Sequence, residues 1–143
     1  LEMNHRWISA GEATRDLQEL TEAEKVDTRA TKEALMCWGK TSAGTSFATA
    51  KKDITGKATG FGRVKIDKTT PASTLTSNPK DFYHWSECRS LTFREWKRLG
   101  SFPDDYKAKT DKIGKYMIGM SVPPRMMEAV ARQVVEQWIE KAR

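Results

Sequence analysis

Apolar residues recur at helical spacing near the C-terminal end of the chain. They fall three or four positions apart at Met127, Val130, Val134 and Trp138. Because this period matches the turn of an α-helix, the pattern predicts a long amphipathic helix over 123–141. Pro123 and Pro124 favour its start, since proline in a first turn gives up no hydrogen bond. Such stripes usually pack into a core, so we expect this one to be buried against the chain's own N-terminal helices or a second chain.

Capping sequences predict several shorter helices. Three hydroxyl and carboxylate pairs have capping-box spacing, namely Ser9 with Glu12, Thr21 with Glu24, and Thr92 with Glu95. They predict helices over 10–20, 22–28 and 92–100. A further helix over 31–38 is predicted to stop at Gly39, because glycine tolerates the left-handed conformation that ends many helices. We expect Trp96 and Val130 to be core positions whose replacement by alanine destabilises the chain by a few kcal/mol.

The middle of the chain has weaker patterns. Four glycines and many small polar residues between Gly39 and Gly60 predict an extended, partly mobile loop at about 39–60. Imperfect alternation over 61–66 and the Thr-rich stretch 73–77 predict two short strands that flank a turn at 67–71. The whole pattern predicts an α+β fold with short helices, a small β element and a long amphipathic C-terminal helix, all in one compact unit.

Composition narrows the class of protein. The 143 residues, 38% of them hydrophobic, suit one ordered domain. No apolar run is long enough to span a membrane and the N-terminus has no apolar signal core, so we expect a cytoplasmic protein with no membrane partner. Cys37 and Cys88 lack a CxxC spacing and predict reduced thiols. His84 and Cys88 are four positions apart, but His5 and Cys37 do not make a tight second half-site, so we expect no metal.

Charge is distributed unevenly. The net charge is −3 over residues 1–37, with five basic against eight acidic side chains. It is +4 over 38–88, with eight against four, and +5 over 89–143, with twelve against seven. A positive field over the last two thirds suits a polyanion such as DNA, although many other domains are equally basic.

Two segments of the C-terminal half carry a family resemblance. Residues 89–106 read Arg-Ser-Leu-Thr-Phe-Arg-Glu-Trp-Lys-Arg-Leu-Gly-Ser-Phe-Pro-Asp-Asp-Tyr, and residues 118–124 read Ile-Gly-Met-Ser-Val-Pro-Pro. In this order and spacing they resemble the last two motifs of the cytosine-C5 DNA methyltransferases. The stretch 70–76, Thr-Pro-Ala-Ser-Thr-Leu-Thr, is similar to the one that closes the family's target-recognition region. The Pro-Cys nucleophile, the Glu-Asn-Val motif and the Gly-rich cofactor loop of the family do not occur in this sequence.

The resemblance implies the C-terminal part of such an enzyme. Residues 1–88 would form part of the target-recognition region, and 89–143 the last motifs and the terminal helix. The capping of a short helix is enough to explain Thr92 and Glu95. It does not explain the arginines, which stand at fixed positions within the motif. The implied structural-motif residues, which hold the recognition region to the catalytic domain mainly through internal ion pairs, are Arg89, Thr92, Arg94 and Glu95.

The resemblance also implies binding residues. Met120 stands where the family usually has asparagine, which leaves Ser121 and Val122 to line the pocket for S-adenosylmethionine. The cations expected on the DNA backbone are Lys51, Lys52, Arg63 and Lys65, although such lysines are often a solvated face. We expect no catalytic residue in this chain, and no methyl transfer or cofactor binding by the chain alone.

The expected partners are double-stranded DNA and a missing N-terminal catalytic domain or catalytic subunit, with self-association through the terminal helix as the alternative. Two other functions stay open at this point. One is a natural small subunit of a split methyltransferase, beginning at Met3. The other is a non-enzymatic basic module that binds DNA by itself. The sequence leaves open whether Leu1 and Glu2 are the cut end of a longer chain.

Overall fold

The fold is mostly helical, with one very small sheet. The computed structural model describes residues 6–17, 19–57 and 62–139. Its α-helices are α1 Ala10–Ala13, α2 Glu22–Asp27, α3 Lys32–Cys37, α4 Ala48–Thr55, α5 Phe93–Leu99, α6 Asp111–Gly119 and α7 Pro124–Val134. The strands are β1 Val64–Lys65 and β2 Phe82–Tyr83. A 3-10 turn at Trp38–Lys40 follows α3, and a π-helical turn at Val135–Ile139 extends α7. The predicted α+β class is confirmed.

Most of the predicted helix starts are present. The side-chain oxygens of Ser9, Thr21, Thr31 and Thr92 each accept a hydrogen bond from a backbone N–H in the first turn of the helix that follows. Helix α1 is shorter than the predicted 10–20. The Thr14 hydroxyl, at the end of α1, donates to the Ala10 carbonyl oxygen at 2.8 Å and competes with the helical pattern there.

The predicted extended loop at 39–60 is wrong for residues 48–55, which form helix α4. Phe47, Ala50 and Ile54 have helical spacing, and they pack with Tyr83 in one cluster. Phe47 is 0% exposed and Ala50 is 4% exposed. This apolar face is narrow, and lysines lie between Ala50 and Ile54, so the sequence pattern did not predict a helix here. Gly56, with a φ of 70°, ends the helix in the left-handed conformation.

The predicted strand pair is correct in only one of its members. Strand β1 lies within 61–66, of which residue 61 is outside the described part. Residues 73–77 are not a strand; β1 instead pairs in parallel with β2, and Val64 aligns with Phe82. The Thr-rich stretch has a single apolar side chain, Leu75. Phe82 and Tyr83 are both buried, so burial and not threonine content selects the second strand.

Strand β2 joins two hydrophobic clusters. Phe82 lies in one cluster with Leu91, Trp96 and Ile118. Tyr83 lies in the other, with Phe47. Successive residues of a strand face opposite sides, so this two-residue strand has a side chain in each cluster. The division into 1–88 and 89–143 stays a prediction, although both clusters draw residues from the first of these ranges.

Helix α6 was not predicted, and two glycines allow it to pack closely. A Cβ atom at Gly114 would lie 2.4 Å from the ring of Phe93 on α5. A Cβ atom at Gly119 would lie 1.9 Å from the carbonyl oxygen of Thr76. Neither distance is possible for real atoms. At Gly119 the clash is with backbone, so glycine is required there, whereas a side chain at position 114 would force the Phe93 ring to move. Gly119 therefore holds the end of α6 against the 70–76 stretch.

The C-terminal helix is present to Ile139, and residues 140–141 of its predicted range lie outside the described part. The predicted packing on the chain's own N-terminal helices is wrong, because none of the helix residues that the structure describes is buried; packing on a second chain stays a prediction. Val130 is 37% exposed and Trp138 is 74% exposed. The helix is tied to the rest of the chain near its start, where the Arg125 N–H donates to Ser101 Oγ at 3.2 Å. Within the described ranges, no helix is long and apolar enough to cross a bilayer.

Candidate functional site

A buried ion pair forms the centre of the 89–106 segment. The Arg89 guanidinium donates to both carboxylate oxygens of Glu95, at 2.8 and 2.9 Å. The side chains are 10% and 3% exposed. Glu95 also accepts from the Thr92 N–H at 2.7 Å, which completes the capping box of α5. Burial alone would raise the pKa of Glu95, but the hydrogen bonds and charge of Arg89 outweigh it and hold this pKa below its usual value.

His84 is packed beside this pair in a neutral form. Its Nε2 atom lies 3.8 Å from Glu95 Oε1, and its Nδ1 atom accepts from the Ser86 N–H at 3.3 Å. Its ring is stacked on Trp85 with centroids 3.9 Å apart. Burial and the nearby charge of Arg89 lower the pKa of His84 to about 4. The imidazole is therefore uncharged at neutral pH and can accept a hydrogen bond.

The other motif arginines bind acidic residues of the N-terminal part of the chain. Arg94 donates to both carboxylate oxygens of Glu24 on α2, each at 2.8 Å. Arg98 donates to Asp104 at 2.5 Å and to Asp16 at 3.0 Å. These contacts dock the segments around 16 and 24 onto α5. The same residue, Glu24, also completes the capping box of α2.

A buried lysine makes a similar connection from α6. Lys115 is 1% exposed, and its Nζ atom lies 2.6 Å from Asp27 Oδ2 on α2. Lys80 Nζ donates to the Asp27 carbonyl oxygen from the other side. The sequence pattern did not predict Glu24 as a partner of Arg94, and it did not single out Asp27 or Lys115. Their positions are 70 or more residues from their partners, and only the charge of each residue hints at a pair.

The four cations expected to contact DNA differ in their partners; two lie on α4, one lies on β1, and Arg63 directly precedes β1. Lys51 and Arg63 both bind Glu33 on α3, at 3.3 and 2.7 Å. Lys65 Nζ lies 3.8 Å from the ring centroid of Trp38. Lys52 is exposed, and no ion pair holds it among the described residues. Their DNA contact stays a prediction.

The two residues expected at a cofactor pocket lie between α6 and α7. Ser121 and Val122 are exposed, and the Ser121 hydroxyl donates to the Met117 carbonyl oxygen at 2.6 Å. A cavity of about 630 Å³ lies elsewhere, between α1 and His84, and another of about 330 Å³ lies beside α2 and Leu35. Neither is lined by Ser121 or Val122. Both side chains are open to solvent in the described part, so alone they do not enclose the cofactor.

The two cysteines are poorly placed for nucleophilic chemistry. Cys37 is 2% exposed and lies in the cluster around Phe47. Burial raises the pKa of the Cys37 thiol, and burial also raises that of Cys88. The thiolate is the reactive form of cysteine, and a raised pKa favours the protonated thiol at both positions. Among the residues that the structure describes, no cluster of three His, Cys, Asp or Glu side chains could hold a metal ion.

Comparisons with known proteins identify one family. A family model for the C-5 cytosine-specific DNA methylase matches residues 4–136. The type II methyltransferase M1.HphI of Haemophilus parahaemolyticus is 33% identical over 86 residues, which cover 59% of this chain and 23% of the relative. M.BbvI of Brevibacillus brevis is 45% identical over 56 residues, covering 38% and 15%. M.AquIB of a Picosynechococcus species is 34% identical over 89 residues, covering 53% and 64%.

The chain thus spans less than two thirds of each of these relatives, and less than a quarter of the first two. No solved structure matches it significantly.

Proposed function

The chain belongs to the C-5 cytosine-specific DNA methylase family, and on that premise we propose that it is the C-terminal part of a type II DNA cytosine-5 methyltransferase. Its family methylates cytosine in DNA with S-adenosylmethionine. The observation that carries the proposal is the exposed apolar face of α7 in a chain that covers 23% of M1.HphI. A face of this size needs a covering partner, and the remaining part of such an enzyme would supply one.

The chain would not provide the nucleophile. Methyl transfer to C5 of cytosine proceeds through attack of a cysteine thiolate on the base, which the enzyme first flips out of the duplex. Cys37 and Cys88 do not follow a proline, and burial raises the pKa of both thiols. The attacking cysteine would therefore belong to the missing catalytic part.

The chain would contribute structure at two sites. Ser121 and Val122 would form one wall of the cofactor pocket, closed by the catalytic part when it packs on α7. Lys51, Lys52, Arg63 and Lys65 would contact the DNA backbone. The ion pairs of Arg89 and Arg94 would hold the recognition region in a fixed orientation to α5. In this proposal the chain grips DNA and completes the cofactor site, but does not perform the chemistry.

A natural small subunit of a split methyltransferase is the second candidate. An alignment of 89 residues covers 64% of M.AquIB, whereas one of 86 residues covers 23% of M1.HphI. M.AquIB is therefore well under half as long as M1.HphI, although both carry the name of a type II methyltransferase. A relative of such short length supports a chain that acts with a separate catalytic subunit.

Complementation tests both versions. The chain is mixed with the N-terminal part of a related enzyme, and transfer of tritiated methyl from S-adenosylmethionine to duplex DNA is measured. We expect activity from the mixture and none from either part. Activity of this chain alone would refute the proposal, and so would an inactive mixture. An inactive mixture together with tight duplex binding by the chain would favour the non-enzymatic basic module.

Two exposed tryptophans provide a matched pair of variants. Trp138 on the π-helical turn is 74% exposed, and Trp7 in the N-terminal segment is 62% exposed. Trp138→Ser should lower methyl transfer by the mixture at limiting concentration by about tenfold or more, because a buried interface tryptophan contributes about 2 kcal/mol or more. Trp7→Ser should leave it unchanged. Equal effects of the two variants would show that the α7 face is not the interface.

A further inference from the structure

One carboxylate forms ion pairs with two of the four cations that are expected to contact DNA. Glu33 Oε2 lies 2.7 Å from Arg63 Nη1, and Glu33 Oε1 lies 3.3 Å from Lys51 Nζ. The hydrogen bond from Arg63 is the largest influence on the pKa of Glu33 and lowers it, so the carboxylate is charged at neutral pH. In the free chain, therefore, one negative charge already neutralises half of the positive charge of these two cations.

The backbone holds these three side chains together. The Phe47 N–H donates to the Arg63 carbonyl oxygen at 2.6 Å, which fixes β1 against the start of α4. Lys51 lies one helical turn after Phe47 and so projects toward the same strand. The buried Phe47 and Ala34 belong to one cluster and hold α3, and with it Glu33, at this place. The arrangement is set by core packing and not by the ion pairs alone.

The ion pairs are accessible to an outside anion. The side chains of Lys51, Arg63 and Glu33 are 28%, 25% and 33% exposed. A guanidinium group can bind either a carboxylate or a phosphate, because its planar fork of N–H donors matches two oxygens of each anion. Ion pairs with this degree of exposure are weak, so a phosphate that approaches both cations can replace the carboxylate.

We propose that Glu33 is an internal competitor for DNA phosphate: it binds Lys51 and Arg63 in the free chain and releases them when a duplex docks. The inference rests on the proposed function, since it assumes that this face meets DNA. Lys52 has no such competitor among the described residues and is available at once. Lys65 is held over Trp38 and does not contact Glu33. DNA binds well only if its phosphates reach both cations and displace Glu33; binding of any other DNA is weakened by Glu33.

The test measures binding of the whole chain to a fluorescent duplex by anisotropy, over a series of salt concentrations. Glu33→Gln should raise the affinity at low salt by about fivefold to tenfold. The gain should shrink as the salt concentration rises, because salt screens the partly exposed ion pairs through which Glu33 competes. The matched control is Glu22→Gln, which removes the same charge from an exposed glutamate paired with Lys25 on α2. It should change the affinity less than twofold.

A second pair of variants distinguishes the loss of the Glu33 ion pairs from the change in net charge. In a Lys51→Gln, Arg63→Gln chain, Glu33→Gln should have no further effect on affinity. A gain that persists there, a gain equal to that of Glu22→Gln, or no duplex binding by any variant would overturn the inference. If thermal melting shows that Glu33→Gln is unfolded, Glu33→Asp replaces it; its shorter carboxylate cannot span both cations, so affinity should still rise, and an unchanged affinity would refute the inference.

These measurements are independent of the complementation assay. If Glu33→Gln has no specific effect while the mixture still methylates DNA, only the competitor role fails. If the mixture is inactive while Glu33→Gln still tightens binding, the methyltransferase assignment fails and the competition for phosphate stands.

Discussion

The buried pair of Arg89 and Glu95 makes a strong prediction about stability. In Glu95→Gln the guanidinium loses its charged partner while the side chain keeps nearly the same shape. Because Glu95 is 3% and Arg89 10% exposed at the side chain, water cannot replace the lost interaction. Breaking a pair of this kind costs about 3–5 kcal/mol. Glutamine can still accept one hydrogen bond, and Arg89 Nε keeps Glu87 at 2.7 Å, so we expect about 3 kcal/mol.

Urea unfolding followed by tryptophan fluorescence measures this loss. The matched control is Asp104→Asn, which removes the same charge from the Arg98 pair. Asp104 is 62% exposed at the side chain, so its contribution should be below about 1 kcal/mol. The reasoning would be refuted if the two variants lost the same free energy of unfolding. A loss near 3 kcal/mol would be a large part of the total stability of about 5–15 kcal/mol that is usual for a domain.

Two further predictions concern pH and packing. The pKa of His84 falls from an ordinary 6.5 to about 4 on folding, so the unfolded chain takes up its proton first. The stability that this group contributes is complete above pH 6.5 and is lost as the pH falls from there to about 4. His84→Gln should flatten the stability profile over that window in urea titrations, and an unchanged slope would contradict the argument. Trp96 is 0% exposed, so Trp96→Ala should cost about 3–5 kcal/mol in the same assay. Val130 is 37% exposed, and Val130→Ala should cost less than about 1 kcal/mol in the isolated chain; similar losses for the two would show that α7 is packed in solution.

Local chemistry explains why part of the fold was predictable. The cap of α5 depends on Thr92 and Glu95, three positions apart, and both the residues and the geometry are readable from the sequence. The narrow apolar face of α4 was missed, because Ala50 gives little hydrophobic signal. The second strand was predicted at 73–77 because threonine favours strands, whereas the burial of Phe82, which places the strand at 82–83, depends on tertiary contacts.

Long-range contacts explain the rest. Arg94 was identified as a motif residue, but its partner Glu24 is 70 positions away and has no sequence signature. The same holds for Lys115 and Asp27, which are 88 positions apart. For α7 the period correctly predicted an apolar face. A sequence pattern states that such a face exists, and the molecule that covers it need not be part of the same chain.

The ion pairs of α2 set a rule for building chimeric methyltransferases. Lys115 is 1% exposed, so a graft that brought α6 without Asp27 would leave an uncompensated charge in the interior. Arg94 would lose Glu24 in the same exchange. Chimeras between relatives should therefore keep residues 21–28 together with 89–119 from a single parent. A crossover anywhere between these two blocks would pass a sequence alignment and still separate Lys115 and Arg94 from their acidic partners.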